Sequence, residues 1–480
     1  MYRSSFLIFL LGLLLSSNAN AQQQVLKGAT LYDGTGAAPV ENSLIVVEQG
    51  LISCVGPDCN YAADAEMIQL EGHYVTPGLV DGHVHYAASG WFDTRPVYPF
   101  LSETYDLQQA QSYLQQNPEK FDRSYLCSGV TAVFDTGSFP WTTSLQEGSI
   151  ANPERPRFVA AGQLLTHGET RVSETVLNNQ VANGVHEFLP MSTNEEALAS
   201  VAVVAASGAS ALKVWFDPLP PERAAEYYER LQVIADAAHR QGLQFIAHTV
   251  NLADAKAAVA AGADVLVHSV FADLVDEEFV QAMVKNDVVY EPTSSFGYTN
   301  SLQTLSILLG EQPDFYDPNH CIDPRTRQLV TEGHEKMAEF YSKNVSSSAF
   351  VRDTLLYGEE QYIVKHNLRK LHEAGATIAT STDAGNPGMF HGPSMLIEMK
   401  NMQAAGIPAA DVLVMSTKNG AKALGLEHTL GTVEVGKNAD LVVLSEDPGN
   451  DVAAYRSIKQ VMRFGKLHKI EDLSYAEVTD

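Results

Sequence analysis

Apolar positions along this chain come in short runs, and the runs share one setting. A helical, Ala-rich or charged stretch ends on a glycine, and a β-branched run follows at once. Ser128-Gly129 leads into Val130-Thr131-Ala132-Val133-Phe134-Asp135, and Gly208 into Ala209-Ser210-Ala211-Leu212-Lys213. Gln241-Gly242 leads into Leu243-Gln244-Phe245-Ile246-Ala247-His248, and Ala261-Gly262 into Ala263-Asp264-Val265-Leu266-Val267-His268. Ala374-Gly375 leads into Ala376-Thr377-Ile378-Ala379-Thr380-Ser381-Thr382-Asp383. Glycine just past a helix end takes the left-handed conformation without a Cβ penalty. The runs are too short and too apolar for half-exposed strands, so they read as buried parallel strands covered by helices. Serial units of this kind close into a doubly wound sheet or into a barrel.

The ends of the runs carry more information than their starts. Each finishes on a polar or ionisable residue: Asp135, Lys213, His248, His268 and Asp383. Any one alone is well explained as a hydrogen-bonded core group. Five at the carboxyl ends of parallel strands are what a barrel active site requires. The flanks have another texture. Val25 to Gln69 and Gly431 to Lys466 are rich in short strand-like pieces and turns, which suggests one small sandwich assembled from both ends of the chain. The expected fold class is α/β, a (β/α)8 TIM-type barrel over residues 75–427 with a composite β-sandwich from 22–74 and 428–480. Cys321 to Gln361 is polar, helix-leaning and long, and reads as an insertion near the seventh βα loop, placed to act as a lid.

Before the first strand pieces lies a leader pattern over residues 1–21. Arg3 precedes an apolar run from Phe6 to Leu15, and Ala19-Asn20-Ala21 offers a small-x-small cleavage site. The run is too short to span a bilayer as a stable helix, so a cleaved signal peptide and a secreted or periplasmic protein are expected. Loss of Arg3, with no acid in the leader, takes the formal charge from −27 to −28. So acidic a surface repels phosphate backbones, which excludes nucleic acid as a partner. No later run approaches a membrane span. Cys54 and Cys59 bracket Val-Gly-Pro-Asp and could close a small loop, whereas Cys127 and Cys321 read as buried thiols. None has zinc-thiolate spacing.

Candidate chemistry centres on His83-Val84-His85. Residues two apart on a strand point to one side, so both imidazoles can face one ion. A lone His-x-His is a weak signal, but His248 and His268 each end a strand and Asp383 adds a hard anionic oxygen. Lys213 suggests a second ion. As a neutral amine it can capture carbon dioxide and bind metals as a bridging carbamate; the other reading is a lysine paired with an acid at the rim.

The stretch Thr76-Pro77-Gly78-Leu79-Val80-Asp81-Gly82-His83-Val84-His85 resembles the opening signature of the amidohydrolase superfamily. Gly129-Val130-Thr131-Ala132-Val133, the Lys213 strand, Ser381-Thr382-Asp383-Ala384-Gly385 and Gly431-Thr432-Val433-Glu434-Val435-Gly436-Lys437-Asn438-Ala439-Asp440-Leu441 resemble its later ones. The resemblance covers nearly all of the chain after the leader and is nearest the imidazolonepropionase-like and Xaa-Pro dipeptidase-like branch. It implies His83 and His85 on a more buried metal, carbamylated Lys213 as bridge, and His248 and His268 on a more exposed metal. Asp383 is implied as ligand and base, and the two divalent ions as zinc or similar. Two departures matter. Thr249 follows His248 where proline dipeptidases usually carry a Tyr, and Val267-His268-Ser269 replaces Glu-His-Gly. Proline specificity therefore does not follow.

The expected reaction is hydrolysis of an amide or peptide bond in a small substrate (a dipeptide, an N-acyl amino acid or a related amide) through a metal-bridging hydroxide, with Asp383 moving the proton. His167, after the third strand, and His391, after the eighth, are candidate substrate contacts. Tyr86 points away from the His pair, and His366 and His372 read as surface groups. The rivals are a lactonase or esterase on the same site, a deaminase, and a catalytically inactive member that only binds. A homo-oligomer stays open.

Overall fold

A computed structural model describes residues 23–94, 105–178, 180–181, 184–216, 219, 221–311, 313–344 and 347–475. The leader over residues 1–21, with its Ala19-Asn20-Ala21 pattern, lies outside the described residues.

The glycine pattern explains how the middle of the chain is built. Gly129, Gly208, Gly242, Gly262 and Gly375 all have positive φ. They stand just beyond helices Glu119–Cys127, Asn194–Ala206, Pro221–Arg240, Leu252–Ala260 and Ser347–Glu373. A sixth unit uses a different residue. Helix Glu277–Asn286 ends on Asp287 in the left-handed region at φ 54°, and strand Val289–Glu291 follows. Aspartate tolerates that conformation because its short polar side chain can bond locally.

The strands that follow pair in parallel. One sheet has the order Phe188–Pro190, Leu164–Thr166, Ala211–Trp215, Gln244–His248, Val265–Val267, Val289–Glu291. A second has Leu79–Val84, Val130–Asp135, Arg157–Ala160. On one side, residues 378–384 lie between the two sheets, bridged in parallel from Ile378 to Tyr290 and from Ala384 to Val84. On the other, Ser210 N donates to Ala160 O at 2.8 Å. The stretch 376–383, expected as a regular strand, pairs only through isolated bridges. Asp383 turns left-handed at φ 60°, and its amide donates to His83 O at 2.8 Å.

Both ends of the chain meet in a five-stranded sheet ordered Thr30–Leu31, Tyr74–Pro77, Leu441–Leu444, Ile458–Arg463, Lys466–Lys469. A four-stranded sheet of Leu51–Val55, Leu44–Glu48, Gln24–Lys27 and Glu66–Gln69 shares an apolar core with it, including Leu26, Ile45, Val75, Leu441 and Met462.

Two expectations need correction. Cys127 and Cys321, read as buried thiols, form a disulfide across 194 residues, and Cys54–Cys59 forms another. The chain order hides the first because the fold alone makes those two positions neighbours. The insertion also begins earlier than Cys321. Helix Phe296–Leu309 already belongs to it, Pro324–Asn344 follows, and Ser347–Glu373 runs on to Gly375. Ile307, Ile322, Val330 and Met337 of this region pack with Trp91, Phe92 and Phe390. Those aromatic residues sit in the loops that follow His85 and Asp383. Among the described residues no helix is long and apolar enough to cross a membrane.

Candidate metal centre

The carboxyl ends of the parallel strands converge on one buried cluster. His83 and His85 come from strand Leu79–Val84 and the residue after it, and Asp383 from the bridged segment beside it. His83 Nε2 lies 3.2 Å from His85 Nε2 and 3.4 Å from Asp383 Oδ1. His85 Nε2 lies 3.0 Å from the same oxygen. This His-His-Asp group could hold a metal ion. Lys213 is almost fully buried, with Nζ 3.1 Å from His83 Nε2 and 3.5 Å from Thr136 Oγ1. The His268 ring centroid is 5.0 Å from that of His83 and 4.3 Å from that of His248. All six candidate ligands therefore face one region.

Hydrogen bonding argues that the cluster suits a cation. His85 Nδ1 is 2.6 Å from Gly137 O, and a carbonyl can only accept, so the proton is on Nδ1. That leaves Nε2, on the other side of the ring, facing Asp383 Oδ1 at 3.0 Å. Asp383 Oδ1 and His248 Nδ1 are buried without hydrogen-bond partners among the described residues. Such orphaned atoms are rare in a core and favour an ion-binding explanation.

Electrostatics points the same way. Burial, then the charges of Lys213 and the neighbouring imidazoles, holds His83 well below the usual histidine range. Burial and His268 do the same to His248. His268 falls to about 3, chiefly through burial, although Asp383 opposes the fall. Burial alone would raise Asp383, but the His85 contact and the charges of His268, His85 and Lys213 bring it to about 2. His83, His248 and His268 are thus neutral and the Asp383 carboxyl ionised near pH 7, which are the metal-binding forms. His268 and Asp383 also have left-handed backbones, at φ 75° and 60°. Non-glycine residues adopt that region at a cost, and it aims these side chains inward.

Other groups hold the cluster in place. Asp81 accepts from Thr382 N at 3.0 Å, Thr382 Oγ1 at 2.6 Å and His83 N at 3.3 Å. Burial raises Asp81 to about 7 against those bonds. Asp135 accepts from Tyr86 N, Gly137 N and Ser138 Oγ, and so shapes the loop whose carbonyl orients His85. His268 Nδ1 is 2.8 Å from Thr293 Oγ1.

The two candidate substrate contacts have partners of their own within the protein. His391 is buried, with Nδ1 2.9 Å from Tyr125 OH and Nε2 2.8 Å from Ala88 O, so both ring nitrogens are engaged within the protein. His167 Nδ1 accepts from Glu169 N at 3.2 Å, and its ring packs 5.3 Å from Tyr227. Neither belongs to the His-His-Asp donor group. Tyr86 OH turns away to Asp122 at 3.2 Å. His372 pairs with Asp411 at 3.1 Å on the partly exposed side of its helix.

Sequence reasoning missed Glu291, which ends strand Val289–Glu291 and is fully buried beside His83. Burial, reinforced by the Asp81 carboxyl, pushes Glu291 well above the usual carboxylate range. The signal for it was the same motif with Asp287 in place of the glycine.

Comparison with known proteins places this arrangement. An imidazolonepropionase of Geobacillus sp. (strain WCH70) is 24% identical over 422 residues, covering 84% of each chain. The ochratoxinase of Aspergillus niger is 23% identical, covering 95% of this chain and 89% of its own. A solved Xaa-Pro dipeptidase with methionine in its active site superposes with a TM-score of 0.68 at 21% identity, covering 93% of this chain and 100% of that one. That likeness concerns the fold, and it implies a TIM barrel with a β-sandwich. The amidohydrolase family matches residues 74–468, and the chain belongs to that family.

Proposed function

We propose that this protein hydrolyses a carbon–nitrogen bond of a small amide or peptide at a two-metal site. In this reading the parallel segments close into a (β/α)8 barrel, with residues 378–384 and the Ser210–Ala160 bond as its seams. The observation that carries the proposal is the meeting of His83 Nε2, His85 Nε2 and Asp383 Oδ1 within 3.4 Å, with Lys213 Nζ 3.1 Å from the first. His83 and His85 would hold one divalent ion, zinc being the first candidate, and His248 and His268 the other. Lys213, carbamylated on Nζ, and Asp383 would complete the set of groups that hold them. The pair of cations, when bound, supplies Lewis acidity that makes a water acidic near neutral pH and polarises a carbonyl.

This chain's own groups do the rest. The Asp383 carboxylate takes the proton of the attacking water and returns it to the departing amine nitrogen. Gly137 O fixes the His85 ring, and Thr293 that of His268. Aromatic packing of the insertion on Trp91 and Phe390 fits a cover that restricts water. Export belongs to the same reading, since two disulfides suit an oxidising compartment.

Metal analysis of protein prepared without chelator, then a panel of dipeptides, N-acyl amino acids and lactones, tests the proposal. Two equivalents of metal with amide turnover support it. Turnover of lactones alone replaces it with an esterase, and absence of bound metal rejects it.

A further inference from the structure

Buried acids lie close to the cluster, and their oxygens fare differently. Asp81 is occupied by Thr382 and the His83 amide. Glu398, from helix Ser394–Ala404, accepts from Ser294 N at 2.8 Å, Ser295 N at 2.7 Å and Ser295 Oγ at 2.6 Å. Glu291 has no hydrogen-bond partner on either carboxyl oxygen among the described residues. Its Oε2 is 4.0 Å from His83 Nδ1, which is also buried and has no hydrogen-bond partner among the described residues. The opposite nitrogen of that ring, Nε2, is the one that meets Lys213, His85 and Asp383.

The backbone around Glu291 is arranged for this contact. Glu291 O accepts from His268 N at 2.8 Å, so the strand end that carries the acid also carries a neighbouring imidazole. A Cβ on Gly82 would come within 2.3 Å of Glu291 Oε1. The missing side chain just before His83 is what gives the carboxyl its room.

We infer that Glu291 is a positioning residue: its carboxyl accepts the His83 Nδ1 proton and fixes the tautomer that turns the Nε2 lone pair to the metal. The inference rests on the metal-centre reading above. The present separation of 4.0 Å is longer than an ordinary hydrogen bond of about 3 Å, so the contact requires the two side chains to draw together. A carboxyl oxygen accepts in either protonation state, so the charge on Glu291 does not decide the matter. Partners of this kind orient a metal-binding imidazole and increase its basicity, and losing one weakens metal binding about 10–100-fold.

The test measures zinc affinity by chelator competition for the wild-type protein, Glu291→Gln and Glu291→Met, with thermal unfolding of each. Glutamine keeps an acceptor oxygen at the same place and removes the charge. Expected are a loss of about 10–100-fold in Glu291→Met and near wild-type affinity in Glu291→Gln. Wild-type affinity in a folded Glu291→Met overturns the inference. So does a Glu291→Gln as weak as Glu291→Met, because the site would then need the negative charge of the acid rather than its acceptor oxygen. If Glu291→Met does not fold, Glu291→Gln decides alone, and a loss of about tenfold or more in it counts against the inference. A wild-type protein that binds no zinc removes the metal centre itself, an outcome visible before any variant is compared.

Discussion

Two buried charged centres in this chain are built on opposite plans. Arg463, at the end of strand Ile458–Arg463, is completely buried, yet its guanidinium is well supplied with acceptors. Nε donates to Arg155 O, NH1 to Asp440 Oδ1, and NH2 to Ser149 O and Ile150 O. Asp440 takes a further bond from Phe464 N. At the strand ends, by contrast, His83, His248, Glu291 and Asp383 all keep a buried atom with no hydrogen-bond partner among the described residues. The first centre ties the five-stranded sheet to the segment before strand Arg157–Ala160. The second leaves neighbouring polar atoms buried without hydrogen bonds of their own. Burial of charge alone therefore does not mark a site; buried polar atoms left unsatisfied beside one another do.

Substitutions can sharpen or break that contrast, and the largest effect belongs to the unsatisfied centre. Asp383→Asn is expected to keep the circular dichroism spectrum and lower kcat/KM by about 10³-fold or more, within the range of lost proton transfer. Near-normal turnover would remove Asp383 from the mechanism. Arg463→Met is expected to do the reverse. It leaves Asp440 buried and unpaired, costing about 3–5 kcal/mol in urea unfolding, with kcat/KM of the folded fraction unchanged. A joint Arg463→Met and Asp440→Leu variant should regain part of that stability.

Next in size comes the long disulfide. Replacing Cys127 and Cys321 by serine is expected to cost about 2–5 kcal/mol. The Cys54–Cys59 pair closes a loop of only five residues' separation and should cost less, because it restricts the unfolded chain less. Equal losses from the two pairs would show that strain or local packing, not chain restriction, sets their worth. Smallest is His372→Gln, which breaks a partly exposed pair with Asp411 and should change stability by under about 1 kcal/mol.

How much was legible in advance follows from the reach of each signal. Helix-glycine-strand units are local, and Gly129, Gly208, Gly242, Gly262 and Gly375 all do in the structure what their neighbours suggested. The polar residues that end those units stand where the strands deliver them, although Asp135 proves to shape a loop rather than join the cluster. Asp287 hid one unit, because aspartate is an ordinary surface residue until its backbone is known to be left-handed. With that unit Glu291 was lost too. His391 looked like a loop histidine near the site, but only three-dimensional packing reveals Tyr125 and Ala88 as its partners. Cys127 and Cys321 show the same limit, since no local pattern links positions so far apart.

The route by which the chain reaches His83 has a further consequence. Strand Tyr74–Pro77, immediately ahead of the first histidine pair, is hydrogen-bonded antiparallel to Leu441–Leu444. During synthesis at about 5–20 residues per second, that partner emerges tens of seconds after the strand it must join. Until then the edge leading to His83 is open on one side, so the nascent chain carries an unfinished seam for most of its time on the ribosome. A premature stop anywhere before Leu441 would leave that seam open for good.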